Sequence, residues 1–224
     1  MGQAIGEFLP FAVGVAICPL PIIAVILILF TDRARRNSLA FLLGWVVGIV
    51  AALSVLTVVA SSASLSSGGE PSAVSSWIKL ILGVLLIAFA VKEWRGRPAP
   101  GTDPEMPRWM TRIDAMAPRR AFRLGLILSA LNPKSLLFIA GGAVVIAGAG
   151  LSVADEAICV AVFTVIGASS VAVPALGYLF FGERIRPTLD GANEWLSANN
   201  TAVMAVLFLV IGVSLFGRGL GGLT

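Results

Sequence analysis

A chain of 224 residues with 58% hydrophobic and only 12% charged side chains stands far from the roughly 25% charged residues of a soluble domain. A water-soluble fold has no means of hiding that much apolar surface. Histidine is absent, which removes the commonest zinc ligand and the commonest proton shuttle near neutral pH and excludes a histidine-dependent triad.

At about 20 apolar residues per crossing, six or seven membrane helices would use most of the chain. The first apolar run is Phe8 to Phe30. Residues Met1 to Pro10 carry no Lys or Arg and include Glu7, so they lack the basic opening of a signal peptide, and the run is expected to stay in the mature protein. Asn37 to Ala60 is the second run, with Gly44 and Gly48 forming a small-xxx-small pair suited to close helix contact. Val74 to Val91 is the third, with Lys79 near its start and Trp77 and Trp94 on either side. Those rings favour the membrane interface and would stand roughly 25 Å apart along a helix.

The fourth run, Leu124 to Gly150, is broken in charge only by Lys134, and Ala157 to Gly182 and Trp195 to Gly217 follow it. Small residues Gly167 to Ser170 and Pro174 let the fifth run pack closely and kink near Ser170. Cys18 and Cys159 lie inside apolar runs and read as small hydrophobes, not as a bridge or a metal pair.

Thirteen of the sixteen Lys and Arg residues follow the first, third or fifth run; Lys79 and Arg218 fall on the opposite side, and Lys134 within a run. Basic residues are retained in the cytoplasm, so both termini are expected outside the inner (plasma) membrane, and the net charge of +4 reports topology rather than a nucleic-acid surface. The expected fold is all-α and polytopic, with six transmembrane helices as two inverted three-helix repeats, 1–94 and 122–224, joined by a cytoplasmic linker, 95–121. In that linker Pro98, Pro100, Pro104 and Pro107 suggest a stretched segment. Trp109, Met110, Ile113 and Met116 at helical spacing, flanked by Arg108, Arg112, Arg119 and Arg120, suggest an amphipathic interfacial helix.

Runs one and four each hold a proline at the corresponding place, Pro19 in Cys-Pro-Leu-Pro and Pro133 in Asn-Pro-Lys-Ser. A proline within a helix deprives the carbonyl four residues earlier of its donor, so Val15 and Ser129, and through Pro21 also Ile17, are expected to have freed carbonyls. Three runs per half is an odd number, so the second half enters from the opposite face, and matching interrupted helices mark a transport site near the midplane. Simple proline kinks are the plainer alternative. Lys134 lies ten residues into its run with no Asp or Glu expected deep in any span. It must line an aqueous cavity, contact Asn132 or freed carbonyls, bind an anionic substrate group, or lose its proton. A structural lysine snorkelling to the interface is the remaining choice.

Ile17-Cys-Pro-Leu-Pro-Ile-Ile23, Arg33-Ala-Arg-Arg-Asn37, Phe41-Leu-Leu-Gly-Trp45 and Leu131-Asn-Pro-Lys-Ser135, with Trp109 and Asp114 before the last, resemble the glycolipid-addressing proteins of mycobacteria and related actinobacteria. This family, also called sulfolipid- or glycopeptidolipid-addressing, is similar to the lysine-exporter superfamily. The resemblance implies a small membrane protein that helps deliver lipids or glycolipids to the cell envelope, with Pro19, Asn132, Pro133 and Lys134 in its central site.

The expected substrate-binding set is Pro19, Pro21, Asn132, Pro133, Lys134 and Ser135, serving a lipid or glycolipid translocator whose halves rock about the site. A secondary exporter of an amino acid or ion, and a non-transporting scaffold for a lipid synthase or export complex, are the alternatives. No cofactor, metal or nucleic-acid partner is expected, and no catalytic group: the chain lacks a phosphate-binding Gly-rich Lys motif and any convergent carboxylate pair, reactive Ser or metal cluster. A homodimer or partner lipid-synthesis and export proteins are the associations in keeping with these readings.

Overall fold

The computed structural model describes residues 1–64, 73–97 and 116–223. Among them every regular element is helical: α1 (Gly2–Ile17), α2 (Pro19–Leu29), α3 (Ala34–Ser64), α4 (Ala73–Arg95), α5 (Pro118–Ala130), α6 (Pro133–Ala147), α7 (Val153–Phe181) and α8 (Arg186–Gly221), with a short 3-10 turn, Gly182–Ile185, between the last two. By length and composition α3 and the run Val153–Gly221 are long and apolar enough to cross a membrane. The bent pairs α1/α2 and α5/α6 bring the number to four when each pair is taken as one span.

The helices exceed the apolar runs because turns bearing charged residues extend them. α4 continues past Val91 to Arg95, and α8 begins at Arg186, so Asp190 and Glu194, expected in a connection, ride on its first turns. Only four residues then separate α7 from α8, and Gly182, at φ 60°, supplies a backbone conformation that L side chains rarely adopt. α7 runs as one helix through Ser170 and Pro174.

The two sequence halves interleave. α3 packs on α5, α6 and α7; α1 packs on α6 and α7; α4 pairs with α8; and α2 touches α3, α7 and α8. Two of these seams depend on glycine. In the first, Gly44 and Gly48 of α3 lie against the Phe122 carbonyl and the Ser129 side chain, while Gly125 of α5 lies against the Phe41 carbonyl. The small-xxx-small pair therefore has an identified partner. In the second, a Cβ on Gly83 of α4 would come within 2.7 Å of the Phe216 backbone nitrogen, and one on Gly219 of α8 within 2.8 Å of the Leu80 nitrogen.

Larger side chains fill the rest of the core. The buried Trp45 donates its Nε1–H to the Gly167 carbonyl at 3.3 Å, tying α3 to α7. Phe138 of α6 stacks on Phe208 of α8 at 5.0 Å between ring centroids, and Phe89 of α4 meets Phe208 edge-on at 5.8 Å.

Of the expected interfacial helix, Trp109, Met110 and Ile113 lie outside the described residues. Met116, the described residue of that stretch, is not helical; its carbonyl accepts from Asn37 Nδ2 at 2.8 Å, and Arg119 and Arg120 belong to the first turn of α5. Asn37 is buried, so this bond pins the entry of α5 to the start of α3.

Candidate functional site

Two helices stop and restart within a few residues. α1 ends at Ile17, Cys18 takes φ −56° and ψ 115°, and α2 begins at Pro19 with its axis turned by 42°. α5 ends at Ala130, Asn132 takes φ −71° and ψ 120°, and α6 begins at Pro133, turned by 57°. The residue before a proline is pushed towards extended backbone, and proline suits the first helical position, where its missing N–H is no loss.

Asn132 completes the second restart by accepting the Lys134 backbone N–H on Oδ1 at 3.1 Å. Asn-Pro-Lys is therefore a capped helix start, not a kink in a continuous helix. At the first break the Cys18 N–H turns back to the Val15 carbonyl at 3.3 Å, so the donor that Val15 was expected to lack is supplied locally.

The breaks face each other. Gly14 lies against the Phe138 ring and Gly141 against the Phe11 ring, an antiparallel register between α1 and α6. Carried four residues further, it sets Cys18 opposite Lys134, and the Cys18 side chain indeed neighbours Ser135 and lies within the field of Lys134. Pro19, Pro21, Cys18 and Ser135 are buried, Asn132 and Lys134 half-buried, and Pro133 exposed. Of the six expected site residues, five thus line the interior at the breaks, while Pro133 faces outward and serves to start α6.

The ammonium of Lys134 is not alone. Its Nζ pairs with Glu93 Oε2 at 3.0 Å, with the lysine side chain 25% and the glutamate 11% exposed. This corrects the expectation that no acidic group neutralises the lysine. Glu93 lies two residues past the apolar run Val74 to Val91 but still inside α4, one residue before the bracketing Trp94.

Phe89 and Phe138 meet on Phe208, and one turn further along each helix Glu93 faces Lys134. Lys134 is therefore level both with the last turn of α4 and with the break between α1 and α2.

Beside the pair the buried Asn132 Nδ2 has no hydrogen-bond partner among the described residues, and the buried Ser135 Oγ has only the Cys18 thiol next to it. Buried polar groups are nearly always satisfied, so such atoms mark room for water or a ligand. The helix starts add partial positive charge from orphan N–H groups. A cation, two helix N-termini and an unused amide donor favour an anion, and at present that anion is Glu93.

A second ion pair joins the halves at the other end of α4 and α8. Arg218 Nη1 holds Glu7 Oε2 at 2.9 Å, and Gln3 Nε2 donates to Glu7 Oε1 at 3.1 Å. Lys79 lines a recess of about 270 Å³ with Gln3 and Glu7. At the opposite end a recess of about 690 Å³ lies between Phe30–Arg36 and the α7–α8 corner, where the Tyr178 hydroxyl donates to Glu183 Oε1 at 2.6 Å and Arg186 pairs with the same carboxylate. Among the described residues no cluster of His, Cys, Asp or Glu is placed to hold a metal ion.

No curated protein and no solved structure matches the chain. A family model does, that of Sap, sulfolipid-1-addressing protein, over residues 8–221. The matched stretch contains both helix breaks, Glu93 and Lys134, and omits only seven residues at one end and three at the other: the chain belongs to the sulfolipid-1-addressing protein family.

Proposed function

We propose that this protein translocates a lipid or glycolipid with an anionic or polar headgroup towards the cell envelope. It crosses the plasma membrane six times, as two inverted repeats of a broken helix followed by two others, with both termini outside. Three features support six crossings. α4, α7 and α8 have 23, 29 and 36 residues, each enough for a crossing of about 20. Each broken pair packs on the long helix of the other half, α1 on α7 and α5 on α3, as an inverted repeat requires. The distribution of Lys and Arg favours one orientation.

The observation that carries the reading is the Lys134–Glu93 pair set against two facing helix starts with unused polar atoms beside it. In the resting protein Glu93 occupies the place of the substrate's anionic group. A headgroup phosphate or sulfate displaces the carboxylate, and the acyl chains remain in lipid. The family's printed name, sulfolipid-1-addressing, accords with an anionic lipid. No covalent step, cofactor or metal enters this mechanism, and kinship with lysine exporters is part of the same proposal.

One observation favours a second reading. Glu93 is a partly buried carboxylate, the kind of group that carries a proton in gradient-driven exporters, so coupled export of a small solute needs no further residue. Purified protein in liposomes separates the two: movement of labelled anionic glycolipid between leaflets is compared with uptake of amino acids. Lys134→Met abolishes lipid movement while the protein stays folded in detergent. Undiminished movement in that variant discards the anion site, and copurification of a partner enzyme without any transport identifies a scaffold.

A further inference from the structure

The last turn of α4 bears two features on adjoining faces. Glu93 points at Lys134 of α6, while Ala90, Val91, Trp94 and Arg95 line a groove of about 320 Å³ whose far wall is Ala205, Val206 and Leu209 of α8. Its walls are apolar except at the end where α4 finishes. There Arg97 lays its guanidinium over the Trp94 ring, 3.4 Å from the centroid, and donates Nε–H to the Trp94 carbonyl at 3.0 Å.

Lys92, Arg95 and Arg97 have no carboxylate within ion-pair distance among the described residues, since the neighbouring Glu93 is taken by Lys134. Tryptophan settles at the level of lipid headgroups, so the groove runs from hydrocarbon depth up to a cationic rim. It is too small for a helix, which is about 10–12 Å across with its side chains.

We infer that the α4–α8 groove binds one anionic lipid, with an acyl chain against Val91, Val206 and Leu209 and its phosphate or sulfate held by Arg95 and Arg97. Charge complementarity selects the occupant: a neutral lipid fills the groove and leaves the rim uncompensated, whereas an anionic lipid satisfies both. The bound headgroup lies within a helical turn of Glu93 and so beside the ion pair that a substrate must open. That this lipid is the one transported, and the groove its lateral entrance, rests on the translocation reading above; the binding itself does not.

The test uses the full-length protein purified in mild detergent, with native mass spectrometry counting retained phosphatidylglycerol against phosphatidylcholine, and liposome assays run on the same variants. Wild type retains the anionic lipid preferentially. Arg95→Gln/Arg97→Gln loses that preference by about tenfold or more, as expected for removal of charge-assisted contacts. Val206→Trp, which fills the groove from an exposed position, lowers retention of both lipids. Equal retention of the two lipids by wild type, or a preference unchanged in the arginine variant with native helix content, overturns the site. Arginine-dependent retention without any lipid movement supports the site and sinks only the translocation reading.

Discussion

Exchanging Glu93 for glutamine leaves the Lys134 ammonium facing a neutral amide, and the cost follows from the depth of the pair. Stripping one partner from a fully buried ion pair costs about 3–5 kcal/mol, whereas an exposed pair contributes about 0.2–1 kcal/mol. With 25% of the lysine and 11% of the glutamate side chain accessible, the single variants fall between, at about 1–3 kcal/mol. For a chain of this size that is a fall in melting temperature of about 2–4 °C per kcal/mol.

Glu93→Gln/Lys134→Gln removes both charges together and recovers part of the loss, because no uncompensated charge remains. Thermal unfolding of the four proteins in one detergent closes the cycle, with an expected coupling of about 1–2 kcal/mol. Function splits the two single variants: Glu93→Gln frees the ammonium and tightens binding of anionic headgroups, while Lys134→Gln abolishes it. Losses that add to within about 0.5 kcal/mol, together with equal binding by both singles, would refute the pairing and the displacement mechanism built on it.

Ser135→Ala removes a buried hydroxyl whose one polar neighbour among the described residues is the weakly bonding Cys18 thiol. Melting temperature is therefore unchanged or slightly raised while lipid movement falls, and a large destabilisation would show that the hydroxyl is structurally bonded. Gly44→Val forces a side chain against the Phe122 carbonyl and prevents accumulation of folded protein on size-exclusion chromatography. Gly217→Ala, where a Cβ meets nothing within 4 Å, raises stability by about 0.5–1 kcal/mol. Cys18 and Cys159 are both buried and free, so a maleimide labels neither in native protein and both after unfolding in dodecyl sulfate. Arg218→Gln breaks an exposed pair with Glu7 and costs less than about 1 kcal/mol, a loss that fades further in high salt.

Composition and apolar runs were sufficient to read an all-helical membrane fold, and the matched prolines marked both places where the chain interrupts its helices. Local chemistry was legible too: Asn before Pro is a helix-start signal, and it explains why residues 131–134 start a new capped helix instead of kinking a continuous one. Glu93 stayed hidden for a different reason. It is 41 residues from Lys134, and only the antiparallel register of α4 and α6, set by rings gathered on Phe208, brings the two together. Gly44 and Gly48 announced a close contact without naming its partner, because periodicity within one helix carries no record of the helix opposite.

The glycine seams decide which parts can move. Backbones wedged together without intervening side chains cannot slide, so α3 with α5, and α4 with α8, behave as two clamped struts. Each strut joins one sequence half to the other, and a cycle in which the halves swing apart would have to prise both open. The proposed translocation would instead part the α4–α8 strut from α6, which the Lys134–Glu93 pair bridges. On the translocation proposed above, an anion that unfastens it would open the bundle sideways into lipid, and large headgroups would pass without ever threading a central pore.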